Sequence, residues 1–301
     1  MALALNDITD AVDAALSGSR RELAKLLTSI ENGAEPEFEK EAWTLGVTGP
    51  PGVGKSTLIG RLIETWVARG ERVAVLAVDP SSPLSGGSLL ADRIRMPQAD
   101  SGDSVFVRSL ASGKFPGGLI PQIGIMCKAL SACGWTRVII ETVGSGQSEI
   151  RVVAFAERIL LVDGPDRGDI IQAEKAGILE IADSIAINKS DLPGSENAAK
   201  AVQSSLDFGK GDSREVHLVS AMNNHGIEDL ITEIEELEPN SRRANLRNRE
   251  RLAVSWESLI FSNSEIESVL KKMGDGSLTV NDAIRHMVSS IDLGGTGDGR
   301  N

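Results

Sequence analysis

The chain has 301 residues, 41% of them hydrophobic, with 31 Lys and Arg against 43 Asp and Glu for a formal net charge of −12. That length and apolar content suffice for one large α/β domain with helical additions, or for two small domains. An acidic surface of this kind repels nucleic acid and anionic lipid, so neither is expected as a partner.

The N-terminal stretch MALALNDITDAVDAAL carries acids where a secretory signal carries basic residues, and no apolar run in the chain is long enough to span a membrane. A cytoplasmic location is therefore expected. Residues 8–31 have Ile8, Val12, Leu16, Leu23, Leu26, Leu27 and Ile30 at roughly helical spacing, broken near Gly18. From Trp43 to about Leu237 apolar strands alternate with helical patterns. Strands are predicted at 43–48, 72–78, 105–107, 137–141, 158–163, 183–187 and 215–219, rich in Val, Ile and Leu on both faces. Such alternation implies a doubly wound, mostly parallel α/β domain. Cys127 and Cys133 fall in one predicted helix without sharing a face, and are expected to be small buried residues of a reduced protein. His217, His225 and His286 are too scattered to suggest a metal cluster or a Ser-His-Asp triad. After Pro239 a basic, polar segment leads into helices predicted at 247–262, 264–273 and 279–291, then a Gly-rich tail expected to be disordered. The organisation expected is an N-terminal helical segment (1–42), a nucleotide domain (43–239), a C-terminal helical region for packing or dimerisation (240–291) and a tail (292–301).

The strongest local signal is GPPGVGKST, Gly49 to Thr57, placed between a predicted strand and a predicted helix. Gly49, Gly52 and Gly54, with Val53 between the last two, let backbone N–H groups turn inward on phosphate oxygens, helped by the positive end of the helix that follows. Lys55 is then a point charge for the β- and γ-phosphates, and Ser56 offers a hydroxyl to Mg²⁺. Further on, SIAINKSDL places Asn188, Lys189 and Asp191 at a strand end. A carboxylate at Asp191 accepts both the ring N–H and the exocyclic amine of guanine, a donor pair adenine lacks. The Lys189 stem can cover the base face. Ser220, Ala221 and Met222 follow another strand, and the backbone N–H groups of Ser220 and Ala221 are expected to face the guanine oxygen. GTP and GDP are thus the expected ligands.

Phosphoryl transfer requires charge neutralisation and a positioned water. Asp79 and Glu141 end apolar strands, where an unpaired acid is expensive, and are expected beside Mg²⁺. Each precedes a Gly/Ser-rich run, and Gly144 in the second can bring a backbone N–H to the γ-phosphate.

Taken together, GPPGVGKST, AVDPSSPLSGGSLLADRIRM, VRSLASG, ETVGSGQSE, GDIIQAEKAGILEIAD and NKSD resemble the MeaB/ArgK-type P-loop GTPases, which include the human methylmalonic aciduria type A protein. The resemblance covers nearly the whole chain. It implies a GTP-hydrolysing chaperone that assists cofactor loading and protection of an adenosylcobalamin-dependent acyl-CoA mutase, and a homodimer built through the C-terminal helices. It also implies that Asp79, Asp92 and Glu141 join Ser56 around Mg²⁺, with Asp92 helping to order the attacking water. Gly168 to Gly177 matches a third switch loop facing the mutase, and Lys175 within it matches a lysine linked to stimulated hydrolysis. The chain departs from the pattern at Ala91, at Ala176 and in DGPDRGD, which leaves open a mutase for methylmalonyl-, isobutyryl- or hydroxyisobutyryl-CoA. No cobalamin-ligand motif of the DxHxxG type is present, so the cofactor is assigned to the partner. Two other readings are a nickel metallochaperone GTPase, which calls for Cys- or His-rich tracts, and a transport-associated ATPase or kinase, which NKSD disfavours.

Overall fold

In the computed structural model, residues 5–79, 102–111, 122–142, 151, 154–165, 176–207, 212, 214–237 and 241–290 are described. Helical spacing over the first thirty residues produces two helices, α1 (Leu5–Leu16) and α2 (Arg20–Glu31). Ser19 caps the second: its Oγ accepts the Glu22 N–H at 3.3 Å, and the SRRE run has the spacing of a capping box. The alternating region then gives β1 (Thr44–Thr48), α3 (Lys55–Ala68), β2 (Val73–Asp79), β3 (Val105–Ala111), α4 (Ile123–Ala132), β4 (Arg137–Thr142) and β5 (Arg158–Asp163). It continues through α5 (Ala176–Ile181), β6 (Ser184–Ile187), α6 (Ser195–Asp207), β7 (Val216–Leu218) and α7 (Ile227–Glu236). The C-terminal helices are α8 (Ser241–Phe261), α9 (Ile266–Gly274) and α10 (Val280–Ser290).

The strands form one seven-stranded sheet in the order β3-β2-β4-β1-β5-β6-β7, every pair parallel. This is the α/β architecture expected. Chain order reverses around β1, whose neighbours are β4 and β5, and ligands of such sheets bind beyond the carboxyl ends of the strands at that point. Strands buried on both faces explain the near-continuous apolar runs: all five residues of β1 and all four of β6 are buried. Leu58, Ile59, Leu62, Ile63 and Trp66 of α3 share one core with Leu230, Ile231 and Ile234 of α7.

Two boundaries differ from expectation. β3 extends to Ala111, because all seven of its residues pair with β2 and Arg108 finds partners on α2, donating to Ala24 O at 3.1 Å, Thr28 Oγ1 at 3.1 Å and Glu31 Oε2 at 2.5 Å. The Arg108 charge is thus a tie between the edge strand and the second N-terminal helix. α8 starts six residues before position 247, since its polar first turns consist of good helix formers. Arg247, within them, is buried and paired through Nη1 with Asp183 Oδ2 at 3.1 Å.

The chain divides into two compact units, Met1–Asn248 and Arg249–Asn301. In the second, Val269, Ala283 and Met287 make a small core against which Ile260 and Ile266 pack. Leu252, Trp256, Leu259 and Leu270 of the same unit are exposed. Among the described residues no helix is long and apolar enough to cross a membrane. Both cysteines are buried as free thiols, and burial pushes the Cys133 thiol above its ordinary range despite the opposing charge of Arg72.

At the far edge of the sheet, His217 Nε2 lies 2.7 Å from Glu233 Oε2, and the Ser184 hydroxyl donates to that same oxygen at 2.6 Å. The Glu233 contact raises the His217 pKa; burial opposes this, and Glu215 and Asp229 add to the rise. A folded pKa above the unfolded value, about 6.5, means the contribution to stability is complete below that pH. It is lost as pH rises through the folded pKa. The difference in unfolding free energy between the wild type and His217→Gln is therefore expected to be largest in mildly acid buffer and to shrink above pH 7. Urea titrations at several pH values measure it, and a difference that grows with pH contradicts the assignment.

Candidate nucleotide site

The phosphate loop leaves the C-terminal end of β1 and enters α3 at Lys55. Gly49 has φ +141°, and a Cβ there would lie 1.9 Å from Val162 O, so the first loop position accepts only glycine. Gly54 has φ +93°, and a Cβ there would meet Asn188 Nδ2 at 2.5 Å. These two glycines let the loop seat against β5 on one side and the base-binding strand end on the other. Lys55 is buried, and its ammonium donates to Gly49 O at 2.6 Å and Pro50 O at 3.0 Å, so the loop's own carbonyls hold the charge inside the turn. Val53 is a core residue whose carbonyl, not its side chain, belongs to the site, while Thr57 is exposed.

Parallel register delivers the acid. Glu141 pairs opposite Val47, two residues before the loop, and Ser56 Oγ donates to Glu141 Oε1 at 2.6 Å. The carboxylate is buried. A hydroxyl and a carboxylate this close make an all-oxygen donor pair, the type Mg²⁺ takes. Thr142, next on β4, donates to Val47 O at 3.4 Å and so ties this strand end to β1. The backbone of Asp79 closes β2 at the same end of the sheet, but its side chain lies outside the described residues. Asp92, Gly144 and Lys175 lie wholly outside them. Of the four expected metal ligands, then, two are seen and they touch. Among the described residues no group of three or more His, Cys, Asp or Glu side chains is arranged to hold a metal.

At the base end, Asn188 is buried, and its side chain is engaged within the protein. Its amide donates to Val53 O at 2.9 Å and its Oδ1 accepts the Ala221 N–H at 3.1 Å. Asn188 therefore braces the phosphate loop against the Ser220–Met222 loop. Lys189, at φ +62°, reaches back to donate to Gly52 O at 2.8 Å, which lays its stem along the cleft. Asp191 is exposed, and its Oδ1 accepts the Ser220 hydroxyl at 2.5 Å, leaving the outer side of the carboxylate for a ligand. The expected use of the Ser220 and Ala221 N–H groups is not what the geometry supports. Ser220 N–H donates to His225 O at 3.0 Å and Ala221 N–H to Asn188, so both are engaged. The next residue, Met222, is 73% exposed, and its N–H makes no hydrogen bond among the described residues. Sequence reasoning also missed Arg61 on α3, whose Nε donates to Ala221 O at 2.8 Å. A lone arginine on a helix surface carries no local signal of such a distant partner.

This arrangement has relatives. The family model described as methylmalonyl Co-A mutase-associated GTPase MeaB matches residues 8–274. The chain belongs to the MeaB family of GTPases. A protein of Pyrococcus abyssi named as a GTPase is 35% identical over 286 residues, 88% of each chain. The fused isobutyryl-CoA mutase of Cupriavidus metallidurans is 37% identical over 209 residues, 64% of this chain and 19% of that one. Among solved structures, a LAO/AO transport system kinase superposes with TM-score 0.60 at 22% identity, over 95% of this chain and 98% of that one, a likeness of fold. This chain is thus a member of a GTPase family, and one relative carries the match within an acyl-CoA mutase polypeptide.

Proposed function

We propose that the protein is a Mg²⁺-dependent GTP-hydrolysing chaperone that assists cofactor loading and protection of an adenosylcobalamin-dependent acyl-CoA mutase. The observation that carries this reading is the fused relative, in which the matching region and an isobutyryl-CoA mutase are one polypeptide. The cleft supports the GTPase half. Lys55 offsets phosphate charge, Asp191 accepts the donors of guanine, and Ser56 with Glu141 forms the oxygen pair that would hold Mg²⁺ together with Asp79 and Asp92. Bound there, Mg²⁺ supplies neutralisation of charge building on the phosphate oxygens. Intrinsic turnover is slow in this reading, and a partner accelerates it by ordering Asp92 or Lys175 against the site.

Single-turnover GTP hydrolysis with and without the mutase of the same organism tests this. Stimulation of tenfold or more is expected, of the kind supplied in trans to other GTPases. Asp92→Ala should slow both reactions, and Lys175→Ala should lower the stimulated rate relative to the basal one. No stimulation by any acyl-CoA mutase overturns the chaperone reading, and full stimulation of Lys175→Ala removes the third-switch assignment.

A homodimer through residues 240–291 belongs to the same proposal. Leu252, Trp256, Leu259 and Leu270 are exposed in a unit whose own core is small. Light scattering should give twice the chain mass, and substituting Leu252 and Trp256 by Ser should halve it. A monomer at high micromolar concentration contradicts the dimer.

A further inference from the structure

We infer that Arg61 is a positioning residue for base recognition, aiming the Met222 N–H at the ligand; this deepens the guanine-site reading and rests on it. Arg61 lies six residues after Lys55 on α3, so one helix carries the phosphate contact at its first turn and this arginine less than two turns later. Arg61 Nη1 donates to Glu64 Oε2 at 2.8 Å, which orients the guanidinium, and Nε donates to Ala221 O at 2.8 Å across 160 positions of sequence. From the other side, Asn188 Oδ1 accepts the Ala221 N–H at 3.1 Å. Both polar groups of Ala221 are thereby fixed.

The consequence follows from peptide planarity. The Ala221 carbonyl and the Met222 N–H belong to one peptide plane, and the chain has no cis bonds among its described residues, so the two point in opposite directions. Holding the carbonyl on Arg61 therefore sets the direction of the Met222 N–H, away from α3. That N–H has no protein partner among the described residues, and the residue is 73% exposed. Its neighbour in the loop, Ser220, is bonded to Asp191, so the N–H stands at the same end of the cleft as the carboxylate. A base offering an acceptor beside two donors satisfies both groups. Guanine does so with O6 flanking its ring N–H, whereas adenine carries an amine where O6 would be. Asn188 also donates to Val53 O, so a closed ring of Val53, Asn188, Ala221, Arg61 and α3 holds the phosphate loop and the base loop in one register.

The experiment compares GDP and ADP binding by the full chain for wild type, Arg61→Ala and Arg61→Gln, with Asp191→Asn in parallel. Losing the clamp is expected to weaken GDP about tenfold and to leave ADP, which has no O6, nearly unchanged, so the GDP/ADP ratio falls. Glutamine keeps bulk and helix propensity without the charge, and the ratio falls there too. Equal losses for both nucleotides mean a structural contribution only, and an unchanged ratio in both Arg61 variants also overturns the proposal. If wild type does not prefer GDP, or Asp191→Asn leaves the preference intact, the guanine reading itself fails, separately from Arg61.

Discussion

Asp191→Asn should weaken GDP binding by about 10²- to 10⁴-fold and bring xanthosine diphosphate to comparable or tighter binding. The carboxylate is exposed at the cleft, and its orientation is set by the Ser220 hydroxyl at 2.5 Å, itself held by the Asn223 N–H at 3.2 Å. Guanine presents two N–H donors to that carboxylate, each charge-assisted bond contributing roughly 1.5–3 kcal/mol. An amide accepts one of them and sets its own N–H₂ against the other. Xanthine replaces the exocyclic amine by a carbonyl, which the amide donor satisfies. The change is therefore an exchange of specificity and not a general loss, and it leaves Lys55 and its loop untouched in both cases. Competition of fluorescent GDP by unlabelled nucleotides measures it. A variant that retains GDP affinity and gains nothing for xanthine overturns the guanine assignment.

Arg247→Ala should destabilise the nucleotide-binding unit by about 1.5–3 kcal/mol, because it removes a charge-assisted bond to a buried carboxylate. The Arg247 and Asp183 side chains are 5% and 6% exposed, with Nη1 3.1 Å from Oδ2 and 3.4 Å from Oδ1. Asp183 Oδ2 also accepts the Ile159 N–H at 2.9 Å, so the carboxylate sits at the start of β5 and β6, inside the sheet. Close by, Arg214 Nη1 donates to Leu179 O at 2.7 Å and Ala182 O at 2.6 Å, closing the end of α5 that leads to Asp183. The double variant Arg247→Met, Asp183→Asn keeps an acceptor for Ile159 and removes both charges, so it should recover most of the loss. Chemical denaturation of the two variants decides it. A cost under 1 kcal/mol for Arg247→Ala means that water reaches the pair.

Much of this protein is written in short stretches of chain. A phosphate loop is nine consecutive residues whose glycines and lysine act within one turn, and NKSD is four residues at a strand end, so each is legible before any folding is considered. Parallel strands buried on both faces read as apolar runs, and those runs correspond in position to all seven strands of the sheet. The family follows from the same local patterns. What the chain order does not contain is which strand lies beside which. Placing β4 between β2 and β1 is what brings Glu141 to Ser56, 85 positions away. The uses of individual polar groups are equally non-local. Asn188 acts as a brace that nothing in NKSD announces, because the fold sets Val53 O and the Ala221 N–H on either side of it. Arg61 and Arg247 give no local signal of their roles, because a side chain's partner across 160 or 64 positions depends on helix packing and not on neighbouring residues. The sequence by itself determined the chemistry that the cleft can offer. Tertiary structure decided which donors and acceptors remain open to a ligand, since the Ser220 and Ala221 N–H groups are already engaged inside the protein.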